Sequence, residues 1–164
     1  MEIGISTGFF HGQSIFDALE PIKRSGIKYV ELWTFSKMLD ENKHFDPLDA
    51  LQTIRLGKIL DEFSIKAVSI HAPFAADLDL SSPDEAIRKE AVRQAAISAC
   101  ALHRVSDGIS NILVAHPSSV PLKNGETKTR FDQARRSVTE IITRIRPLGM
   151  KLALENQLPH IFGH

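Results

Sequence analysis

The chain has 164 residues, 43% of them hydrophobic, with 20 basic side chains balanced by 20 acidic ones. That is one domain's worth of polypeptide, long enough to bury a core, and a pI near 7.1 excludes the electrostatic footprint of a nucleic-acid or anionic-membrane binder. A single cysteine, Cys100, rules out an internal disulfide. No apolar run approaches the roughly 20 residues of a spanning helix, and the amino terminus lacks a signal-peptide pattern. With the lone thiol, this points to the cytoplasm.

In chain order, a first short apolar run, "EIGIS" (2–6), reads as a strand. It leads into "STGFFHGQS", whose glycines lack the spacing of a dinucleotide or P-loop phosphate cradle. A helix near 14–25 follows, then a second strand, "KYVELW" (28–33), and a helix over 47–64. The third strand, "KAVSIH" (66–71), opens onto "APFAADLDLSSPDE", which carries four acids and no base. There Ser82 is the expected cap of the next helix, with Pro83 in its first position and Glu85 completing a capping box. Small and apolar residues run on through Ile87, Ala91, Ala95 and Ala99. The fourth strand is "NILVAH" (111–116). Helix 130–146 follows, with Phe131, Ala134, Val138, Ile141, Ile142 and Ile145 as its apolar stripe and a break at Pro147 and Gly149. Its arginines, at 130, 135, 136, 144 and 146, read as a solvated face. The fifth strand is "KLALEN" (151–156), and the tail "QLPHIFGH" offers no sixth.

Strands alternating with helices argue for a parallel sheet with right-handed crossovers, either a doubly wound open sheet or a barrel of the (β/α)₈ type. Alternation along the third strand puts residues 67, 69 and 71 on one face and Val68 and Ile70 on the other; Ala153 and Glu155 likewise share a face. Small and polar residues toward an axis, with aliphatics toward helices, favour the barrel. Glu31, His71, His116 and Glu155 each fall at or beside the carboxyl end of a strand, the edge where both architectures bind ligands. Singly, each has an ordinary explanation: a hydrogen-bonded structural histidine, or a glutamate paired with Lys28 or Lys151. Recurrence on four strands at one edge is the argument for a functional cluster.

At "SIHAPF", "LVAHP" and "LALEN" the sequence resembles the xylose-isomerase-like barrel superfamily of sugar isomerases and epimerases and of endonuclease IV-type DNA-repair enzymes. "GIKYVELW" and "DLSSPDEAIRKEAVRQA" extend the resemblance over essentially the whole chain. It implies a parallel (β/α) barrel of TIM type, truncated after the fifth of eight strands, so that residues 1–164 form a partial barrel domain. It also implies a divalent metal, Mn²⁺ or Mg²⁺ foremost and Co²⁺ or Zn²⁺ as alternatives. Glu155 matches the strand-five glutamate that ligates the metal and, in epimerases, shuttles a proton at the carbon beside the carbonyl. His71 and His116 match histidines that line the substrate site in isomerases and ligate metal in the endonucleases. Trp33, Phe9, Phe10 and His11 match pocket-wall positions, and Glu31 matches a recurring glutamate.

The expected activity is a metal-dependent sugar or sugar-phosphate isomerase or epimerase. It would act on a small-molecule sugar, without nucleic acid or membrane, and would need the missing carboxyl-terminal strands. An endonuclease IV-type nuclease and a non-catalytic truncated barrel are the alternatives. Open edges at strands one and five predict self-association or a complementing chain.

Overall fold

In this computed structural model, residues 2–34, 44–106, 111–121 and 125–156 are described. Among these residues, five strands form one sheet: β1 (Gly4–Ser6), β2 (Tyr29–Trp33), β3 (Lys66–His71), β4 (Ile112–Ala115) and β5 (Lys151–Leu154). Their spatial order is their chain order, and every pair is parallel. That order decides between the two architectures. A doubly wound sheet reverses direction at a switch point, whereas a barrel adds each strand on the same side of the last. The sheet is an incomplete TIM-type barrel, as expected. Among the described residues, β1 and β5 each have one strand neighbour. The tail beyond residue 156 lies outside the described residues.

Four helices cross between the strands: α1 (Ile15–Ser25), α2 (Ala50–Phe63), α3 (Glu85–Val105) and α4 (Thr127–Ile145). Each of the first three begins where a side-chain oxygen takes up orphan backbone N–H groups. Ser14 accepts from Asp17, and Asp49 accepts from Leu51 and Gln52. The third cap differs from the expected one. Asp84, not Ser82, accepts from Ala86 and Ile87, while Ser82 Oγ accepts from the Asp84 N–H. The Ser-Pro-Asp run offers two candidate caps, and the aspartate nearer the first turn takes the role. Glu85 is freed from a capping box and turns to Arg88.

The convex face of the sheet carries Val30, Leu32, Ala67, Ile70, Leu113 and Ala115. They are buried under Ile15, Leu19, Leu56, Leu60, Val92, Leu102, Ile141 and Ile145 of the helices. At about 25 cal/mol per Å² of apolar surface removed from water, this seam is the main stabilising contribution. The stripe expected on α4 is half right. Ile141 and Ile145 are buried, but Phe131 is 69% exposed and Ile142 stands at the surface, while Ser137 fills a core position. Ser137 Oγ donates to the Leu80 carbonyl, which makes burial of that hydroxyl tolerable.

The alternation expected on β3 is also corrected. Val30 pairs with Ala67 but Glu31 pairs with Ser69, so one residue of β3, Val68, has no partner on β2. Because Val30 and Glu31 point to opposite faces, so do Ala67 and Ser69. This bulge puts Ala67 in the helix-side core and leaves Ser69 and His71 on the concave face.

Candidate functional site at the carboxyl edge of the sheet

The concave face is built in layers by the strand register. Glu31 and Ser69 stand level with each other, and Ser69 Oγ donates to Glu31 Oε2 at 3.2 Å. One layer toward the carboxyl edge come Trp33 and His71, paired in register, with Val114 level with His71. His116 and Glu155 lie just past the ends of β4 and β5. The Glu155 N–H donates to Ala115 O at 3.1 Å, extending the ladder by one step and fixing where the glutamate emerges.

Four of the sequence-predicted residues meet there. His71 Nε2 lies 3.3 Å from Glu155 Oε2. The Trp33 ring is 4.6 Å from that of His71, and the two histidine rings are 4.8 Å apart. Phe74, to which the sequence assigned no role, completes the group, 4.5 Å from His116 and 5.7 Å from Trp33. It follows His71 by three residues in "SIHAPF", which is the signal that could have found it. The other expected residues do not join this group. Phe9 is 80% exposed and meets Phe10 edge to face, while His11 is exposed and donates from Nδ1 to Gly8 O. Glu31 sits a layer below, engaged by Ser69.

Backbone carbonyls set the protonation of both imidazoles. His71 Nδ1 donates to Ala72 O at 2.8 Å, and His116 Nδ1 donates to Glu155 O at 3.3 Å, since a carbonyl can only accept. In neutral His71 the lone pair is therefore on Nε2, the atom that faces a carboxylate. Two acceptors so placed need a positive centre between them, either a proton or a metal ion. Burial, reinforced by the nearby His71, pushes the His116 imidazole below its ordinary pKa, so it favours the neutral, ligand-ready form.

Ligand atoms of His71, His116 and Glu155 lie within 4.8 Å of one another. Two donors at about 2.1 Å from one ion are at most about 4.2 Å apart, so the spread is slightly wide. The Glu155 side chain, 54% exposed, has room to rotate and close the gap. The residues fit a divalent ion in kind: two nitrogens and an oxygen suit Zn²⁺, Co²⁺ or Mn²⁺, whereas Mg²⁺ would call for more oxygen donors.

The loops that carry these side chains are held by charges the sequence did not reveal. Asp79 is buried and paired with Arg130 at 2.6 Å, so Arg130 is not part of a solvated face. Arg135, Arg136, Arg144 and Arg146 are exposed as expected.

Residues 19–162 match the xylose isomerase-like TIM barrel family. The chain belongs to that family. A search among curated proteins finds no match. Several solved structures are similar to it. A D-tagatose 3-epimerase-like protein superposes with a TM-score of 0.78 at 24% identity, over 99% of this chain and 55% of its own. A D-psicose 3-epimerase solved in the presence of D-fructose gives 0.76 at 14% identity, over 100% and 55%. A D-psicose 3-epimerase with D-tagatose from Clostridium cellulolyticum H10 gives 0.67 at 18%, over 94% and 52%. The likeness is one of fold, and the chain spans about half the length of these relatives.

Proposed function

We propose that this chain contributes to a divalent-metal-dependent sugar isomerase or epimerase that moves a proton at the carbon beside a carbonyl. The observation that carries the reading is the Glu155 carboxylate held 3.3 Å from His71 Nε2 at the ligand-binding edge of a barrel. The family membership and the ketose 3-epimerases among its structural relatives support the same reading.

Glu155, His71 and His116 would hold the ion. When bound, it would polarise the sugar's carbonyl and neighbouring hydroxyl and so acidify the C–H between them. Glu155 is the group on this chain able to take that proton. Its side chain is half exposed, while its backbone N–H is tied to β4. His71 orients it from the buried side. Trp33 offers ring surface against which the apolar face of a sugar can lie, and buried Phe74 backs it edge to face. Epimerisation takes a proton from one face of the carbon and returns it at the other, so Glu155 serves one face and a second base is required.

The test is solvent exchange. The whole natural polypeptide carrying these residues is incubated in deuterium oxide with D-tagatose, D-psicose, D-fructose or L-ribulose and Mn²⁺, Co²⁺ or Mg²⁺. Deuterium at the carbon beside the carbonyl, with the epimer or aldose appearing on chromatography, is the expected result. No exchange with any sugar under any of the three metals overturns the reading.

The same two imidazoles and carboxylate also suit zinc, the donor set of the endonuclease alternative. A formal net charge of zero opposes it, because neutralising phosphates dominates DNA affinity. Tight, salt-sensitive binding to a duplex with an abasic site would favour it over the epimerase.

A further inference from the structure

We infer that Asp79 and Arg130 form a positioning clamp that holds the Phe74 and His116 walls of the site in register. The role of those walls rests on the function proposed above; the clamp itself rests on geometry. Phe74 belongs to the loop after β3 and His116 to the segment after β4, and their rings touch edge to face at 4.5 Å. Neither segment has regular structure that would fix this contact. Both are instead tied to one carboxylate.

Asp79, five residues beyond Phe74, is buried, its side chain 2% exposed. Its Oδ1 accepts from the Ser81 N–H at 3.0 Å within its own loop. The same oxygen accepts from the Ser119 N–H at 3.1 Å, three residues beyond His116. Its Oδ2 accepts from Arg130 Nη1 at 2.6 Å, which brings in the first turn of α4. Ser119 Oγ donates to Leu78 O at 3.0 Å, a second stitch between the two loops. Arg130 is itself aimed by Glu126, one turn earlier, at 2.9 Å. The loop after β3, the segment after β4 and the start of α4 therefore converge on Asp79.

A buried ion pair of this kind adds little net stability compared with a well-packed apolar pair, because both charges must be desolvated. What it supplies is geometry. The carboxylate accepts backbone N–H groups from both loops at fixed angles, and Arg130 prevents it from rotating out. The predicted consequence is local. Loosening the clamp frees Phe74 from His116 and uncovers Trp33, the only tryptophan in the chain, whose ring lies 5.7 Å from Phe74.

The experiment compares acrylamide quenching of Trp33 fluorescence in the wild-type protein and in Asp79→Asn and Asp79→Ala. Asparagine keeps an Oδ1 acceptor for the two N–H groups and loses the charge; alanine loses both. Glu140→Gln is the control, since Glu140 pairs with buried Arg88 on the α3–α4 seam, away from the site. The quenching constant should rise roughly twofold or more in Asp79→Ala and less in Asp79→Asn. It should stay at the wild-type value in Glu140→Gln, even at a comparable loss of melting temperature. Co²⁺ affinity should fall about tenfold in Asp79→Ala, as for other groups that orient ligands.

Should Asp79→Ala fail to fold, Arg130→Lys, which keeps the charge but shortens the reach, is expected to raise quenching in its place. Unchanged quenching in the folded clamp variants, or an equal rise in Glu140→Gln, overturns the inference. A wild-type protein that exchanges no sugar proton would sink the epimerase reading while leaving the quenching comparison to judge the clamp.

Discussion

His71 and Glu155 stand 84 residues apart in the chain, yet Nε2 of one lies 3.3 Å from Oε2 of the other. The relationship is made by backbone pairing. β3 pairs with β4 and β4 with β5, so that His71 stands level with Val114 and Ala153, two residues before Glu155. His71 is buried on this edge while the Glu155 side chain remains half open, so one partner is fixed by packing and the other reaches solvent.

Replacing Glu155 with alanine should therefore separate function from stability. Divalent-metal affinity is expected to fall at least about tenfold. Unfolding free energy should change by no more than about 0.5 kcal/mol, because an exposed edge residue contributes little packing. Metal titration beside urea denaturation checks both, and a large loss of stability would contradict the assignment.

Gly8 is a second sensitive point. A Cβ there would come within 2.8 Å of Trp33 Cδ2, so glycine is what lets the turn after β1 lie against the indole. Gly8→Ala should push the ring off His71, shift the Trp33 emission maximum and cost about 1–3 kcal/mol through overpacking. Emission spectra and a denaturation curve would register both effects.

The α3–α4 seam should be far less forgiving than the surface. Arg88 has no exposed side-chain area and donates to Glu85, Glu140 and Ser137. Arg88→Ala leaves those partners without their shared donor and should cost about 3–5 kcal/mol. Arg93→Ala breaks an exposed pair with Glu90 and should stay within about 1 kcal/mol of wild type. Parallel urea titrations of the two variants measure the contrast.

Acid should weaken that seam through Glu85. Its hydrogen bond to Arg88 holds the carboxyl at about 2, well below its ordinary 4.5. A depressed carboxylate contributes stability above its unfolded pKa and loses it as pH falls toward the folded one. The difference in melting temperature between wild type and Glu85→Gln should thus be full above pH 4.5 and shrink as pH falls toward 2. A constant difference across that window would count against the pairing.

What could be read from the sequence was whatever a short window encodes. "KAVSIH" and "NILVAH" declared buried strands, and their terminal histidines were visible at one edge because strand ends are local. The meeting of Asp79 with Arg130 was not visible, since 51 residues separate them and each alone looks like an ordinary surface charge. Phe131 failed for a related reason. Periodicity identifies a helix face to within a residue or two, and only packing decides which residue at the border turns outward. Arg88 sits among the alanines of α3 with nothing nearby to announce that a buried acceptor set awaits it on α4.

The unpaired Val68 has a consequence for how this strand can change. Substitution there alters one side chain. Losing that one residue would make Ala67 and Ser69 neighbours, which regular alternation places on opposite faces, as they already are. Ser69 and His71 would keep the concave face and Ile70 the helix side, with the pairing to β2 made regular. The strand thus carries slack at that point, and a one-residue deletion at Val68 should disturb the site less than the loss of a polar group around His71.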